Sequence, residues 1–103
     1  MFFGPSTDLT PAAFQAKLQQ EGGVVIDCRT AGETAEGMWP GAKHLDWLSG
    51  AFQQQADQLD PNQNYYLYCR SGARSGAATS FLKGKGFKNV FNLGGYGNIA
   101  RLK

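Results

Sequence analysis

Three short apolar runs constrain this chain more than any other feature. They are Val24-Val25-Ile26, Tyr65-Tyr66-Leu67-Tyr68 and Val90-Phe91-Asn92-Leu93, and they are separated by segments with helical signals. Continuous β-branched and aromatic runs of this length read as strands buried on both faces. Strands that alternate with helices predict an α/β domain with a mostly parallel sheet.

The helices between them carry their own punctuation. Thr10-Pro11 reads as N-cap and first helical position, Phe14 and Leu18 share a face, and Gly22-Gly23 ends the segment. A helical turn is expected near Gly32 to Glu36. Pro40-Gly41 is a turn, and Ala42 to Trp47 a short strand. Ser49 to Leu59 reads as a helix with Phe52, Ala56 and Leu59 on one face, stopped by Pro61. Ser75 to Lys83 reads as a helix burying Ala77, Ala78, Phe81 and Leu82, ended by Gly84 and Gly86. One domain, residues 1–103, accounts for this length.

Composition narrows the function. The net charge is +2, with no block of like charges, which argues against nucleic acid. No apolar stretch reaches the length of a membrane span. Met1-Phe2-Phe3 runs straight into Gly4-Pro5, so no signal peptide is read there. A single histidine, His44, makes a His-rich metal site impossible. The two cysteines, Cys28 and Cys69, form neither a disulfide scaffold nor a zinc-type pair. Neither a metal nor an organic cofactor is expected, and a domain this small can stand alone as a monomer. Cysteine chemistry is what remains.

Both cysteines fall at the carboxyl ends of expected strands, where open α/β sheets bind their ligands. Cys69-Arg70-Ser71-Gly72-Ala73-Arg74-Ser75 joins a strand to a helix. Such a loop of small residues turns successive backbone N–H groups inward as an anion nest, and the helix dipole adds to it. A cysteine at its start, near two arginines, is biased toward the thiolate, the nucleophilic form. The cradle residues Arg70, Ser71, Gly72, Ala73, Arg74 and Ser75 are therefore the candidate substrate-binding set around Cys69.

These residues resemble the rhodanese superfamily, from about Pro11 to the end of the chain. The matching segments are Ile26-Asp27-Cys28-Arg29 with Glu33, then Pro40-Gly41-Ala42, the Cys-x-x-Gly-x-Arg-Ser loop and Leu93-Gly94-Gly95. Thr34 stands where many members have an aromatic residue, and Met38-Trp39 where many have a histidine. The segment from Asn92 to Ala100 also resembles the phage-shock-type periplasmic rhodanese, which tilts the expected compartment toward the periplasm over the cytoplasm. The resemblance implies a three-layer domain with a mostly parallel, five-stranded central sheet flanked by helices. It implies a thiosulfate sulfurtransferase that moves sulfane sulfur through a Cys69 persulfide. The donor would be a small sulfur anion. The acceptor would be a thiol, on a small molecule or a thioredoxin-like protein, with cyanide serving in the test tube.

Two rivals share these residues. Dual-specificity phosphatases of the same superfamily have the cysteine–arginine loop, but with one residue more than the six from Cys69 through Arg74. The shorter ring suits a single sulfur atom. A non-enzymatic persulfide carrier or partner-binding module is the other rival.

Several roles stay open at this stage. Arg74 either faces the donor or ties the loop to the sheet. Ser71 and Ser75 either bond the outer sulfur or cap the helix. Cys28 is either a small core residue or a redox partner of Cys69, since adjacent strands lie about 4.8 Å apart and bring two strand ends within disulfide reach. The related phosphatases place a second cysteine at the matching position. Asp27 and Arg29 read as a structural pair, His44 as a packed or surface residue, and Trp39 and Trp47 as core or rim. Of Tyr65, Tyr66 and Tyr68, one is expected to face solvent.

Overall fold

In a computed structural model, which describes residues 7–102, a parallel sheet carries the fold. The residues read for a signal peptide, 1–5, lie outside the described region. In chain order the elements are α1 (Pro11–Glu21), β1 (Val24–Asp27), α2 (Ala31–Thr34), β2 (Lys43–His44), α3 (Ala51–Gln55), β3 (Tyr65–Cys69), α4 (Ala73–Gly84) and β4 (Val90–Gly95). Three 3-10 turns, Ala56–Gln58, Tyr96–Asn98 and Ala100–Leu102, complete them.

The sheet order is β2-β1-β3-β4, every pairing parallel. Four strands form it among the described residues, where five were expected. The strand expected at Ala42 to Trp47 shrinks to Lys43–His44. Beyond it Leu45 and Trp47 still donate to the carbonyls of Asp27 and Cys28, at 3.0 and 3.2 Å, so the chain follows β1 without keeping a ladder.

The two faces of the sheet bury different side chains, because successive strand residues point to opposite sides. Ile26, Cys28, Leu67 and Cys69 face α3 and α4, among Phe52, Ala56, Ala78 and Leu82. Val25, Tyr66 and Tyr68 face the other layer, with Phe14 of α1, Leu93 and Ile99. The result is helix, sheet, helix in three layers. Phe14 meets Trp39 and Tyr66 edge-on, at centroid distances of 5.1 and 5.3 Å, an arrangement that suits the ring quadrupoles.

All three tyrosines of β3 are buried, against the expectation that one faces solvent. Each hydroxyl reaches an acceptor: Tyr65 the nearby Asp60 carbonyl at 2.8 Å, Tyr66 the Gly22 carbonyl at 2.9 Å, Tyr68 the Asp27 carboxylate at 2.7 Å. Burial costs little once that bond is made.

The helix starts are set by local chemistry. Thr10 caps α1, its hydroxyl accepting the Ala13 N–H at 3.1 Å. Thr30 and Glu33 form a reciprocal capping box on α2. α3 is shorter than Ser49 to Leu59, giving way to a 3-10 turn at Ala56. α4 starts two residues before Ser75, so its buried stripe is Ser75, Ala78, Thr79 and Leu82, at helical spacing. Ala77, expected inside, is consequently exposed.

β3 and β4 lose simple register after Leu67. Leu67 opposes Asn92, but Tyr68 opposes Gly94, leaving Leu93 as an extra residue. The bulge brings Gly95 beside Cys69, and a Cβ there would collide with the Arg70 carbonyl. Glycine at 95 thus leaves room for the loop that departs from Cys69.

Candidate active site

Cys69 is the last residue of β3 and is fully buried. The chain leaves it through Gly72, whose φ of +102° suits glycine, and enters α4 at Ala73. That turn curls the loop over the sulfur. Gly72 N–H donates to Sγ at 3.0 Å and Ser75 N–H at 3.4 Å. The Ser75 hydroxyl lies 3.4 Å from Sγ and 2.7 Å from Asn92 Oδ1. Its single proton has two acceptors, and negative charge on sulfur draws it toward Sγ. Asn92 is held in turn, accepting Gly94 N–H at 3.0 Å and donating to the Gly72 carbonyl at 3.2 Å.

Burial alone would raise the Cys69 thiol. The hydrogen bonds from the Ser75 hydroxyl and from the N–H groups of Ser75, Gly72 and Ser71 outweigh it and hold the thiol below its ordinary range. A buried sulfur biased toward the thiolate is a prepared nucleophile, and the same donors can stabilise charge on a second sulfur atom beyond it.

Arg74 is engaged by Glu33. Its two terminal nitrogens pair with the two carboxylate oxygens of Glu33, at 2.7 and 2.9 Å. The tie expected for Arg74 was to the sheet; its partner is instead Glu33 of α2, which joins the Cys69 loop to the segment that follows β1. The bonds from Arg74, with help from Thr30, bring the Glu33 carboxyl down to about 2. Arg70 and Ser71 are exposed, and Arg70 enters no ion pair with a described residue. It borders a cleft of about 190 Å³ shared with Arg29, Glu33, Glu36, Tyr96 and Gly97. A larger groove, about 450 Å³, runs along α4 past Asp8 and Lys83, and Cys69 lines neither it nor the Arg70 cleft. Ser75 is not at the helix start, as its capping role required; Gly72 is the N-cap, with no side chain to offer.

Cys28 follows β1 as Cys69 ends β3. Asp27 pairs with Tyr68 in register, and Cys28 N–H continues the ladder to the Tyr68 carbonyl at 2.8 Å. Cys28 and Cys69 each follow the last registered pair by one residue and belong to the same buried cluster. Burial pushes the Cys28 thiol well up, and the negative charges of Cys69 and Asp27 push it further. Both cysteines are free thiols.

The expected Asp27–Arg29 pair is present, with Arg29 Nη2 donating to Asp27 Oδ2 at 2.7 Å. The guanidinium also lies 4.5 Å from the centroid of the Tyr96 ring and donates to the Gly37 carbonyl at 2.6 Å. Asp27 accepts from Tyr68 as well, so this buried charge is fully partnered. His44 Nε2 lies 2.6 Å from the Arg29 carbonyl. Trp47 packs edge-on against Phe52 and Phe81.

Sequence reasoning missed Asn92 and gave Glu33 no partner. Asn92 had one signal, a polar residue inside an otherwise apolar run expected to be buried. Glu33 had none, since its partner lies 41 positions away.

Residues 10–101 match the rhodanese-like domain family. Among individual relatives, YtwF of Bacillus subtilis is 35% identical over 89 residues, covering 85% of this chain and 84% of its own. Thiosulfate sulfurtransferase GlpE of Pseudomonas entomophila is 39% identical over 79 residues, covering 76% of this chain and 70% of its own. Longer relatives match too, the chain spanning 30% of one of them. A crystal structure of a rhodanese-like domain protein from Staphylococcus aureus superposes with a TM-score of 0.77 at 27% identity, over 91% of both chains.

Proposed function

The chain belongs to the rhodanese-like domain family, with sulfurtransferases among its relatives, and on that premise we propose that it carries sulfane sulfur from a small anionic donor, thiosulfate or a near relative, to a thiol acceptor as a persulfide on Cys69. The observation that carries this reading is the ring of donors on one buried sulfur: Gly72 N–H, Ser75 N–H and the Ser75 hydroxyl.

The reaction is a double displacement. The Cys69 thiolate attacks the outer sulfur of thiosulfate; a new S–S bond forms and the old one breaks. Sulfite leaves with the electron pair, and the negative charge passes to the outer sulfur of the persulfide. The loop N–H groups, at the N-terminus of α4, face that charge. An acceptor thiolate then attacks the outer sulfur and restores Cys69 as the leaving thiolate. Nothing in this sequence of steps calls for a metal or cofactor. Arg70, exposed at the cleft, draws the donor anion. Arg74, tied to Glu33, positions the loop instead.

The phosphatase alternative is not favoured. The loop from Cys69 to Arg74 holds six residues, and a tetrahedral phosphoryl group needs a wider ring. A persulfide carrier fed by another protein would use the same atoms, so turnover with a small donor separates the two.

The test is intact mass before and after thiosulfate, together with thiocyanate production from thiosulfate and cyanide. Wild type gains one sulfur atom and turns over. Cys69→Ser gains none and loses at least about a thousandfold in turnover, because a hydroxyl cannot form the covalent intermediate. A reduced wild type that takes up no sulfur and makes no thiocyanate would overturn the reading.

A further inference from the structure

Cys28 is a buried thiol that the transfer reaction leaves unused. Its position is specific. β1 and β3 pair in parallel from Val24↔Tyr65 to Asp27↔Tyr68, and the hydrogen bond from Cys28 N–H to the Tyr68 carbonyl extends that ladder. One step further sets Cys28 beside Cys69. Alternation along each strand fixes the side: Ile26 and Cys28 share a face, as do Leu67 and Cys69, and all four lie in one buried cluster. Neighbouring strands lie about 4.8 Å apart, inside the Cα window of about 4.4–6.8 Å that disulfides occupy. Two sulfurs at neighbouring strand ends on one face are placed to bond with little backbone movement.

The electronic states differ in the useful direction. Cys69 is stabilised as thiolate by the loop, and Cys28 is kept as a neutral thiol. A thiolate is also what hydroperoxides oxidise, and the oxidation becomes irreversible once the sulfur carries two oxygens.

We propose that Cys28 is the resolving thiol of Cys69, closing an intramolecular Cys28–Cys69 disulfide when a hydroperoxide oxidises the nucleophile. In the first step the Cys69 thiolate attacks the peroxide. The O–O bond breaks, the sulfur keeps one oxygen as the sulfenic acid, and the other leaves as hydroxide or alkoxide. In the second step Cys28 sulfur attacks Cys69 sulfur. The S–O bond breaks, and the hydroxyl takes the Cys28 proton and leaves as water. The two thiols are oxidised by two electrons, and the peroxide is reduced by two. A dithiol reverses the modification by exchange. This goes beyond sulfur transfer and rests only on the reactivity of Cys69, not on the identity of the donor.

The experiment treats fully reduced wild type, Cys28→Val and Cys28→Ser with graded hydrogen peroxide. Intact mass, peptide mapping and sulfur uptake after dithiothreitol are then read. Wild type loses two hydrogen atoms, yields a cross-linked peptide containing both cysteines, and recovers sulfur uptake. The Cys28 variants gain two or three oxygen atoms on Cys69 and recover at least about tenfold less. Sulfinate forming in wild type as fast as in the variants would overturn the proposal, and so would a cross-link found only between two molecules. If neither variant folds, the cross-linked peptide from wild type alone decides. Failure of sulfur transfer itself is read separately, as absent uptake by untreated protein, and leaves the mass of the oxidised form interpretable.

Discussion

The ends of β1 and β3 begin from nearly the same sequence and finish as opposites. Both run apolar residue, Asp or Tyr, cysteine, arginine, then a hydroxyl residue: Ile26-Asp27-Cys28-Arg29-Thr30 and Leu67-Tyr68-Cys69-Arg70-Ser71. Both cysteines are fully buried on the same face, in neighbouring register. Yet one thiol is held below its ordinary range and the other well above it. Burial pushes both up, and the difference lies in the groups that meet each sulfur: the Ser75 hydroxyl and the loop N–H groups at Cys69, the negative charges of Cys69 and Asp27 at Cys28. After Cys28 the N–H groups are already bonded elsewhere: Arg29 N–H to Asp27 Oδ1 at 2.9 Å, Thr30 N–H to Glu33 Oε1 at 3.1 Å. After Cys69, a glycine at positive φ turns them onto the sulfur. A strand-end cysteine becomes a nucleophile through the donors that the following turn and helix bring to it, not through burial.

The largest expected effect tests that contrast directly. At neutral pH, iodoacetamide should label Cys69 on the order of a hundredfold faster than Cys28, since the thiolate is the reacting form. The sign with pH follows from the two shifts. Labelling of Cys69 rises with pH and levels off first, whereas labelling of Cys28 rises only at higher pH. Comparable rates at neutral pH, measured by peptide mapping on native protein, would break the comparison.

How much of this is legible in the sequence divides along the same line. The parallel α/β arrangement is visible because short apolar runs alternate with helical periodicity. The Cys69 loop is visible because small residues, a glycine and a cysteine stand together between a strand and a helix. What escapes depends on partners distant in sequence. Three tyrosines within four residues give no sign that Asp60, Gly22 and Asp27 take their hydroxyls. Arg74 cannot be assigned without Glu33. Ser75 reads as the helix start, whereas Gly72 bends the chain early enough that α4 begins at Ala73 and carries Ser75 onto the sulfur. Asn92, which holds Ser75, is hidden inside a strand legible only through its apolar neighbours.

A smaller effect comes from the turn itself. Gly72→Ala forces an L side chain into φ near +102°, a conformation costing about 1–2 kcal/mol. The loop relieves the strain by moving its N–H groups off Cys69. The thiol should then titrate higher and sulfur transfer should fall roughly tenfold. The matching change at the other loop, Thr30→Ala, removes a cap worth about 1 kcal/mol and should leave the Cys69 titration in place. A Gly72→Ala protein with unaltered thiol titration would show that the donors do not depend on this turn.

The smallest effect concerns the ion pair that joins the two loops, Glu33 on the β1 side and Arg74 on the β3 side. Glu33→Gln keeps an oxygen for Thr30 and removes only the charge, so it isolates the pair. The pair is partly open to solvent, with side chains 22% and 20% exposed, so its worth is discounted to about 1 kcal/mol. The Glu33 carboxyl is depressed to about 2 in the fold, mainly by Arg74, against about 4.3 in an unfolded chain. A depressed carboxyl contributes stability that is complete above the unfolded value and lost as pH falls through the folded one. Wild type should therefore exceed Glu33→Gln by a constant margin from neutral pH to about 5, and the margin should close between about 4.3 and 2. Urea unfolding at a series of pH values measures it. A margin that persisted unchanged at the acid end would mean that the substituted amide disturbs the cap on α2 rather than the bond between the loops. The two cysteine ends would then be held in register by the β1–β3 ladder alone.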